Sequence, residues 1–309
     1  MPEFQIRMSK QASPNLPGRC MTSCVSATVT HLVLATLPCF VATYSILLLF
    51  PLSVLALLAL AGLVKFSKRL LGVPASAPAF VFFNVLFIWG VYVAVVRKAI
   101  LPLMDFVMNA EIVILLTGWF RILSSNPGLV EHVLSDSNKL AVASSAEVEG
   151  QCKSSLSDVR VRYCRTCQAY IKGFDHHCPA FGNCIGQKNH LLFMALLFGF
   201  FISEASYVVC CSHYAADFLI LDQDWQSSLS GNLLVGTVLF SAFQLLWQGP
   251  FLGWHIYCVS VNMTTDEWIN WRSYPEFQLV GEHPPGYEEM KFTNPYNKGI
   301  LRNMKEFLM

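Results

Sequence analysis

The chain has 309 residues, of which 54% are hydrophobic and only 13% charged, and its formal net charge is +1. A soluble domain carries roughly a quarter charged residues, so this is the composition of a protein built into a membrane. Nucleic-acid binding is excluded, because no basic stripe is present to neutralise phosphates.

In chain order, residues 1–24 are polar and proline-bearing. They read as an N-terminal tail and not as a secretory signal, since the apolar stretch behind them is too long. Spanning a bilayer takes about 20 mostly apolar residues. Residues 25–64 are apolar for about twice that length, with Pro38 and Pro51 interrupting. They predict one tilted helix or two short ones turning near Phe50-Pro51. Two are favoured, because a single helix of about 40 residues would be about 60 Å long. Residues 79–123 predict two spans, 79–96 and 99–123, and residues 190–262 predict two more, 190–211 and 233–261. The Gly249-Pro250 pair predicts a kink in the last. Asp105, Glu111 and Glu204 lie in apolar runs. No inverted repeat is evident to suggest a transport path, so Asp105 is expected near the lumenal interface, and Glu111 and Glu204 are expected to hydrogen-bond other helices.

Lys and Arg set the expected orientation. Lys65, Lys68 and Arg69 form a basic loop, and Arg160, Arg162, Arg165, Lys172 and Lys188 make the central polar section basic. The connection around Asp217, Asp222 and Asp224 has no basic residue. The positive-inside rule then places the cysteine-rich section and the tail, residues 263–309, in the cytosol. Arg97 and Lys98 argue the other way from a very short loop. Residues 129–159 are polar and rich in Ser, and read as a flexible linker.

The cytosol is reducing, so Cys164, Cys167, Cys178 and Cys184 point to metal ligation or nucleophilic chemistry before disulfides. Cys39, Cys210, Cys211 and Cys258 read as small buried thiols. Cys20 and Cys24 precede the first apolar run, where a free thiol and reversible acylation are equally expected. Cys164-x2-Cys167 is a zinc knuckle, and Asp175-His176-His177-Cys178 with Cys184 follows closely enough to complete a tetrahedral set. If one histidine and Cys184 join the knuckle, Cys178 and the other histidine remain as neighbours. With Asp175 to orient that histidine, such a pair yields a thiolate at neutral pH. Spacing alone equally permits Cys178 as the ligand and Cys184 as a buried thiol.

Residues 163–193, YCRTCQAYIKGFDHHCPAFGNCIGQKNHLLF, resemble the cysteine-rich domain of the DHHC family of protein S-acyltransferases (palmitoyltransferases). Asn126-Pro127-Gly128 stands where the family has DPG, and Thr264-Thr265-Asp266-Glu267 where it has TTxE. Asn294-Pro295-Tyr296-Asn297-Lys298-Gly299 with Asn303 resembles its aromatic-and-asparagine C-terminal motif. The resemblance covers the chain from about Ala79 onward. It implies an all-α polytopic membrane protein: a four-helix acyltransferase core (79–123 and 190–262), one or two extra N-terminal transmembrane helices (25–64), and a small cytosolic zinc-bound loop within residues 129–193. It further implies Cys178 as the nucleophile, His176 as general base and Asp175 as its orienting partner. Cys164, Cys167, His177 and Cys184 would hold a structural Zn2+. Acyl-CoA would be the acyl donor, cysteines of membrane-associated proteins the acceptors, and the bilayer the setting.

Two departures from the family pattern stand out. A second zinc set would need ligands at Gly150, Lys153, Tyr163 and Tyr170, with Cys152 out of register, so one zinc per chain is expected. Ala180-Phe181 replaces the Trp that usually follows DHHCP. These departures also suit a catalytically weak or inactive relative acting as a zinc-stabilised scaffold. A membrane-anchored E3 ligase is disfavoured, because one zinc does not build a cross-braced RING.

Overall fold

The computed structural model describes residues 16–41, 49–71, 75–130, 160–221, 228–280 and 290–309. Its helices are α1 (Leu16–Val41), α2 (Leu49–Leu71), α3 (Ala77–Ala94), α4 (Pro102–Leu123), α5 (His190–Leu221), α6 (Leu229–Ser260), α7 (Thr265–Asn270) and α8 (Ile300–Leu308). Three two-stranded antiparallel hairpins complete it: β1 (Val161–Cys164) with β2 (Ala169–Lys172), β3 (His176–Cys178) with β4 (Asn183–Ile185), and β5 (Gln278–Val280) with β6 (Met290–Phe292).

Among the described residues, five helices are long and apolar enough to cross a bilayer: Leu16–Leu37, Ala77–Ala94, Pro102–Leu123, His190–Ala216 and Leu229–Ser260. Large apolar side chains such as Leu103, Phe106, Val113 and Ile114 stand on the helix surface. In water such a surface would be a liability, whereas in lipid it is the ordinary state. The protein is a multi-pass, mainly helical membrane protein.

Two helices cover the first apolar region. The second of them holds only a shorter apolar segment, Pro51–Gly62. Helix α1 begins at Leu16, inside the expected tail, and so takes in Cys20 and Cys24. The reason is local: Thr22, Ser23, Ser26 and Thr30 each return a hydroxyl hydrogen bond to the carbonyl four residues earlier, which satisfies polar groups within the helix. Lys65, Lys68 and Arg69 likewise lie in the last turns of α2 and not in a loop, because Lys and Arg are good helix formers and suit a helix C-terminus. Of the serine-rich linker only Leu129 and Val130 are described; the rest lies outside the described residues. Cys152 and the connection around Asp222 and Asp224 lie outside them too.

The described residues divide into two compact units. The first takes α1–α3, α4 as far as Thr117, α5 from Gly199 and α6 as far as Trp247. Its core packs Leu34, Ile88, Tyr92, Met108, Ile112, Tyr207 and Phe240. A Cβ at Gly236 would lie 2.7 Å from the Ala35 amide nitrogen, so glycine is what lets α1 and α6 approach so closely. His31 Nε2–H donates to Asn84 Oδ1 at 2.9 Å, and the ring stacks on Phe87. Two of the acids in the apolar runs find partners, and only the Glu111 contact was expected. Asp105 accepts from Tyr92 at 3.0 Å and pairs with Arg97 at 3.1 Å, and Glu111 accepts from Ser206 at 3.1 Å.

The second unit takes the rest of α4, the two cysteine-bearing hairpins, the start of α5, the end of α6 and the tail. Asn126 Oδ1 accepts from the amides of Gly128 (2.8 Å) and Leu129 (2.9 Å), closing a turn in which Gly128 adopts φ +110°. That turn presents Gly128 O to the Lys172 amide at 2.9 Å and so ties strand β2 to the end of α4. In the tail, Asn294 donates to Val261 O (2.7 Å) and Asn303 to Ser260 O (2.8 Å). Two asparagines thus satisfy the orphan carbonyls at the end of α6.

Candidate active site and metal centre

Side chains on a strand alternate between faces, and this separates the neighbours His176, His177 and Cys178. His177 sits directly opposite Cys184 in the β3–β4 register, and Cys178 sits opposite Asn183. His177 and Cys184 face Cys164 and Cys167 from the first hairpin. The four ligand atoms lie within 4.8 Å of one another. Cys167 Sγ is 3.4 Å from His177 Nδ1 and 3.3 Å from Cys184 Sγ, and the Cys167 amide donates to Cys164 Sγ at 3.4 Å. A tetrahedral zinc with Zn–S bonds of about 2.3 Å would set its sulfurs about 3.8 Å apart, so a few tenths of an ångström of opening would seat it.

The charge state argues the same way. Hydrogen bonds from Cys184 and His177 pull the Cys167 thiol down to about 4, while the hydrogen bond to Cys167, together with burial, pushes Cys184 up. One thiolate forms readily here and, with burial, disfavours the next. A bound cation would offset this. The residues present therefore fit a metal ion.

His176 and Cys178 take the opposite face. His176 Nδ1 bonds Asp175 Oδ2 at 2.6 Å, and His176 is also hydrogen-bonded to Cys178. Burial pulls the His176 imidazole down, but the bonds to Asp175 and Cys178 outweigh it and hold it up at about 9. Burial pushes the Asp175 carboxyl up, but the His176 hydrogen bond and the Thr265 amide hold it down at about 2. The pair is thus an ion pair at neutral pH. Asp175 is fully buried, and its Oδ1 accepts from the Thr265 amide at 2.7 Å. The Asp266 amide donates to the Asp175 carbonyl at 3.1 Å. The Thr-Thr-Asp-Glu segment therefore seats on the aspartate as the first turn of α7.

That turn is itself locked. Thr264 and Glu267 form a reciprocal capping box, and Glu267, 1% exposed, receives Arg160 through two guanidinium nitrogens, Nε at 2.6 Å being one. Arg160 also reaches Asn262 Oδ1 (2.8 Å) and lies over the Tyr296 ring. Arg162 pairs with Glu276 and covers Tyr274. Two arginines that the charge pattern counted only toward orientation are struts. Asn183 and Asn189 act similarly: Asn183 donates to Ile122 O and Ser125 O, both at 2.9 Å, and Asn189 spans Ser125 and Cys184.

Tyr163 and Tyr170 are register partners with ring centroids 5.0 Å apart, so an aromatic pair occupies the positions where a second metal set would need ligands. Phe181 is buried and meets Phe193 edge-on at 6.1 Å; Phe193 in turn meets His176 at 5.3 Å. The larger ring beside Ala180 thus packs on Phe193, the ring that meets the histidine.

Comparison with known proteins decides the type. Residues 145–272 match the family model for DHHC palmitoyltransferase. The chain carries a DHHC-type domain. It is 27% identical over 198 residues to palmitoyltransferase ZDHHC17 of Danio rerio, which covers 59% of this chain and 31% of that protein. To palmitoyltransferase Hip14 of Drosophila melanogaster it is 32% identical over 166 residues, 48% of this chain and 23% of that one. To probable protein S-acyltransferase 1 of Arabidopsis thaliana it is 29% identical over 166 residues, 48% of this chain and 43% of that one. The match spans less than half the length of each of these relatives. The DHHC-type domain here includes both hairpins, the Asp175–His176 pair and the Thr-Thr-Asp-Glu turn.

His190 and His255 escaped the sequence reading altogether. Both are buried against this site, and His255 Nδ1 is 3.8 Å from Asp175 Oδ2. A single histidine in an apolar run carries no spacing signal that would have found it.

Proposed function

We propose that the protein is a protein S-acyltransferase. It moves a fatty acyl group, palmitoyl first among them, from acyl-CoA to cysteine thiols of membrane-associated proteins through a thioester on Cys178. The observation that carries this reading is the line Asp175–His176–Cys178 on the face of a hairpin whose other face offers Cys164, Cys167, His177 and Cys184. His176 Nδ1 is engaged by Asp175, which leaves Nε2 for the Cys178 thiol. His176 takes and holds the Cys178 proton, and Asp175 balances the resulting imidazolium. The thiolate sulfur attacks the thioester carbonyl of acyl-CoA; a new C–S bond forms and the bond to CoA sulfur breaks. An acceptor cysteine thiolate then attacks the acyl-Cys178 thioester and regenerates the Cys178 thiolate. Zn2+ held by Cys164, Cys167, His177 and Cys184 would be structural, with all four positions filled by protein, and would pin the two hairpins together.

The domain is read as facing the cytosol, on the basic residues of the central polar section and against Arg97 and Lys98, whose loop is very short. A second reading, a zinc-stabilised scaffold with little activity, is favoured by the Tyr163–Tyr170 pair at the positions of the second metal set. One experiment separates the two. Purified protein is incubated with a clickable palmitoyl-CoA, and hydroxylamine-sensitive label is mapped. Label on Cys178 that is absent in Cys178→Ser supports the enzyme; transfer to targets by Cys178→Ser would sink it.

A further inference from the structure

His255 is an anomaly on α6. It is 0% exposed, and neither ring nitrogen has a hydrogen-bond partner among the described residues. Two aromatic rings pack against it in edge geometry, Phe251 at 4.6 Å and Phe193 at 5.0 Å. A buried imidazole costs free energy unless its N–H is satisfied. An apolar residue would fill this place without that cost if packing were the whole of its task. It approaches the Asp175 carboxylate, whose Oδ2 lies 3.8 Å from Nδ1. That same oxygen carries His176 at 2.6 Å, and the two imidazole rings are 5.7 Å apart.

We propose that His255 is a positioning residue for acyl transfer, an inference that rests on the acyltransferase reading above. In the Nδ1–H tautomer it donates to Asp175 Oδ2 after a closure of under about 1 Å, since a hydrogen bond needs about 2.7–3.2 Å. The carboxylate is then held from three directions: Thr265 N–H on Oδ1, and His176 and His255 on Oδ2. Rotation of Asp175 would swing His176 away from Cys178, and His255 removes that freedom. His190, whose Nε2 is also buried without a partner among the described residues, completes a cluster with Asp175 and His255. A metal ion on those three groups is the competing account. It is disfavoured because Asp175 already serves His176 and Thr265.

The test compares His255→Leu with His255→Asn in the full chain. The two side chains have nearly the same shape and leave the same space, but only Asn places an N–H near the position of Nδ1. A packing role favours Leu; a positioning role favours Asn. Single-turnover self-acylation with clickable palmitoyl-CoA is expected to fall about tenfold in His255→Leu, the scale of one lost hydrogen bond to a charged group, and to recover most of that in His255→Asn. In an Asp175→Asn background the Leu change should add less than about twofold, because interacting groups are not additive. Equal rates for Leu and Asn, or the same loss in both backgrounds, would overturn the proposal. A second zinc per chain that disappears in His255→Leu would overturn it in favour of the metal. Absence of label on wild-type Cys178 would instead bring down the acyltransferase reading itself.

Discussion

Replacing Arg160 by Met tests whether the turn that holds Asp175 depends on a buried ion pair. Glu267 is 1% exposed and takes two bonds from Arg160 and one from the Thr264 amide at 3.0 Å. Arg160→Met keeps much of the volume but leaves the carboxylate buried beside a thioether. Breaking a buried pair from one side costs about 3–5 kcal/mol. For a unit of this size that is a melting-temperature drop on the order of 6–20 °C. The Thr265 amide leaves Asp175 as the turn loosens, so self-acylation should fall with stability. Adding Glu267→Leu removes the stranded charge and should return part of the loss. Recovery is incomplete, because the capping box disappears at a cost of about 1 kcal/mol. Thermal melts in detergent, with zinc content and Cys178 labelling on the same samples, provide the readout. An Arg160→Met protein that melts like wild type, or a double variant no better than the single, would refute the argument.

Elemental analysis should return one zinc per chain, since Tyr163 and Tyr170 face each other where further ligands would be needed. Cys167→Ala should lose both metal and activity, because such sites couple metal binding to folding, whereas Cys178→Ser should lose only acylation. Gly186→Ala should misfold the cysteine-rich region, because the new Cβ would lie 2.4 Å from Pro127 O and 2.6 Å from Ile171 Cγ2. Both contacts are rigid, so the expected cost is at least the 1–3 kcal/mol typical of overpacking, read as reduced yield and metal content. Ala180→Trp should alter the rate or chain-length profile of self-acylation while sparing zinc, measured across a series of acyl-CoA lengths. Superimposable profiles would remove Ala180 from the acyl-chain path.

How much was legible follows from the range of each interaction. Spans reveal themselves in sequence because a bilayer demands a continuous apolar run, and the runs at 79–123 and 190–262 each resolve into two helices. The start of α1 did not, since Ser and Thr hide their hydroxyls by bonding back within the helix. Cysteine and histidine spacing narrowed the metal set but left two assignments open, and strand alternation with the His177–Cys184 register now divides His177 from His176 and Cys178. The remaining features have no local signature. The Arg160–Glu267 strut joins residues 107 positions apart, and the Thr265 amide reaches Asp175 across 90. His255 stands beside them only because α6 ends where the hairpin packs. The sequence by itself determined the membrane setting and the chemistry on offer, because these depend on residue type and short spacing. Only the tertiary structure decided which face each side chain takes and what supports Asp175, because those follow from register and from contacts between distant parts of the chain.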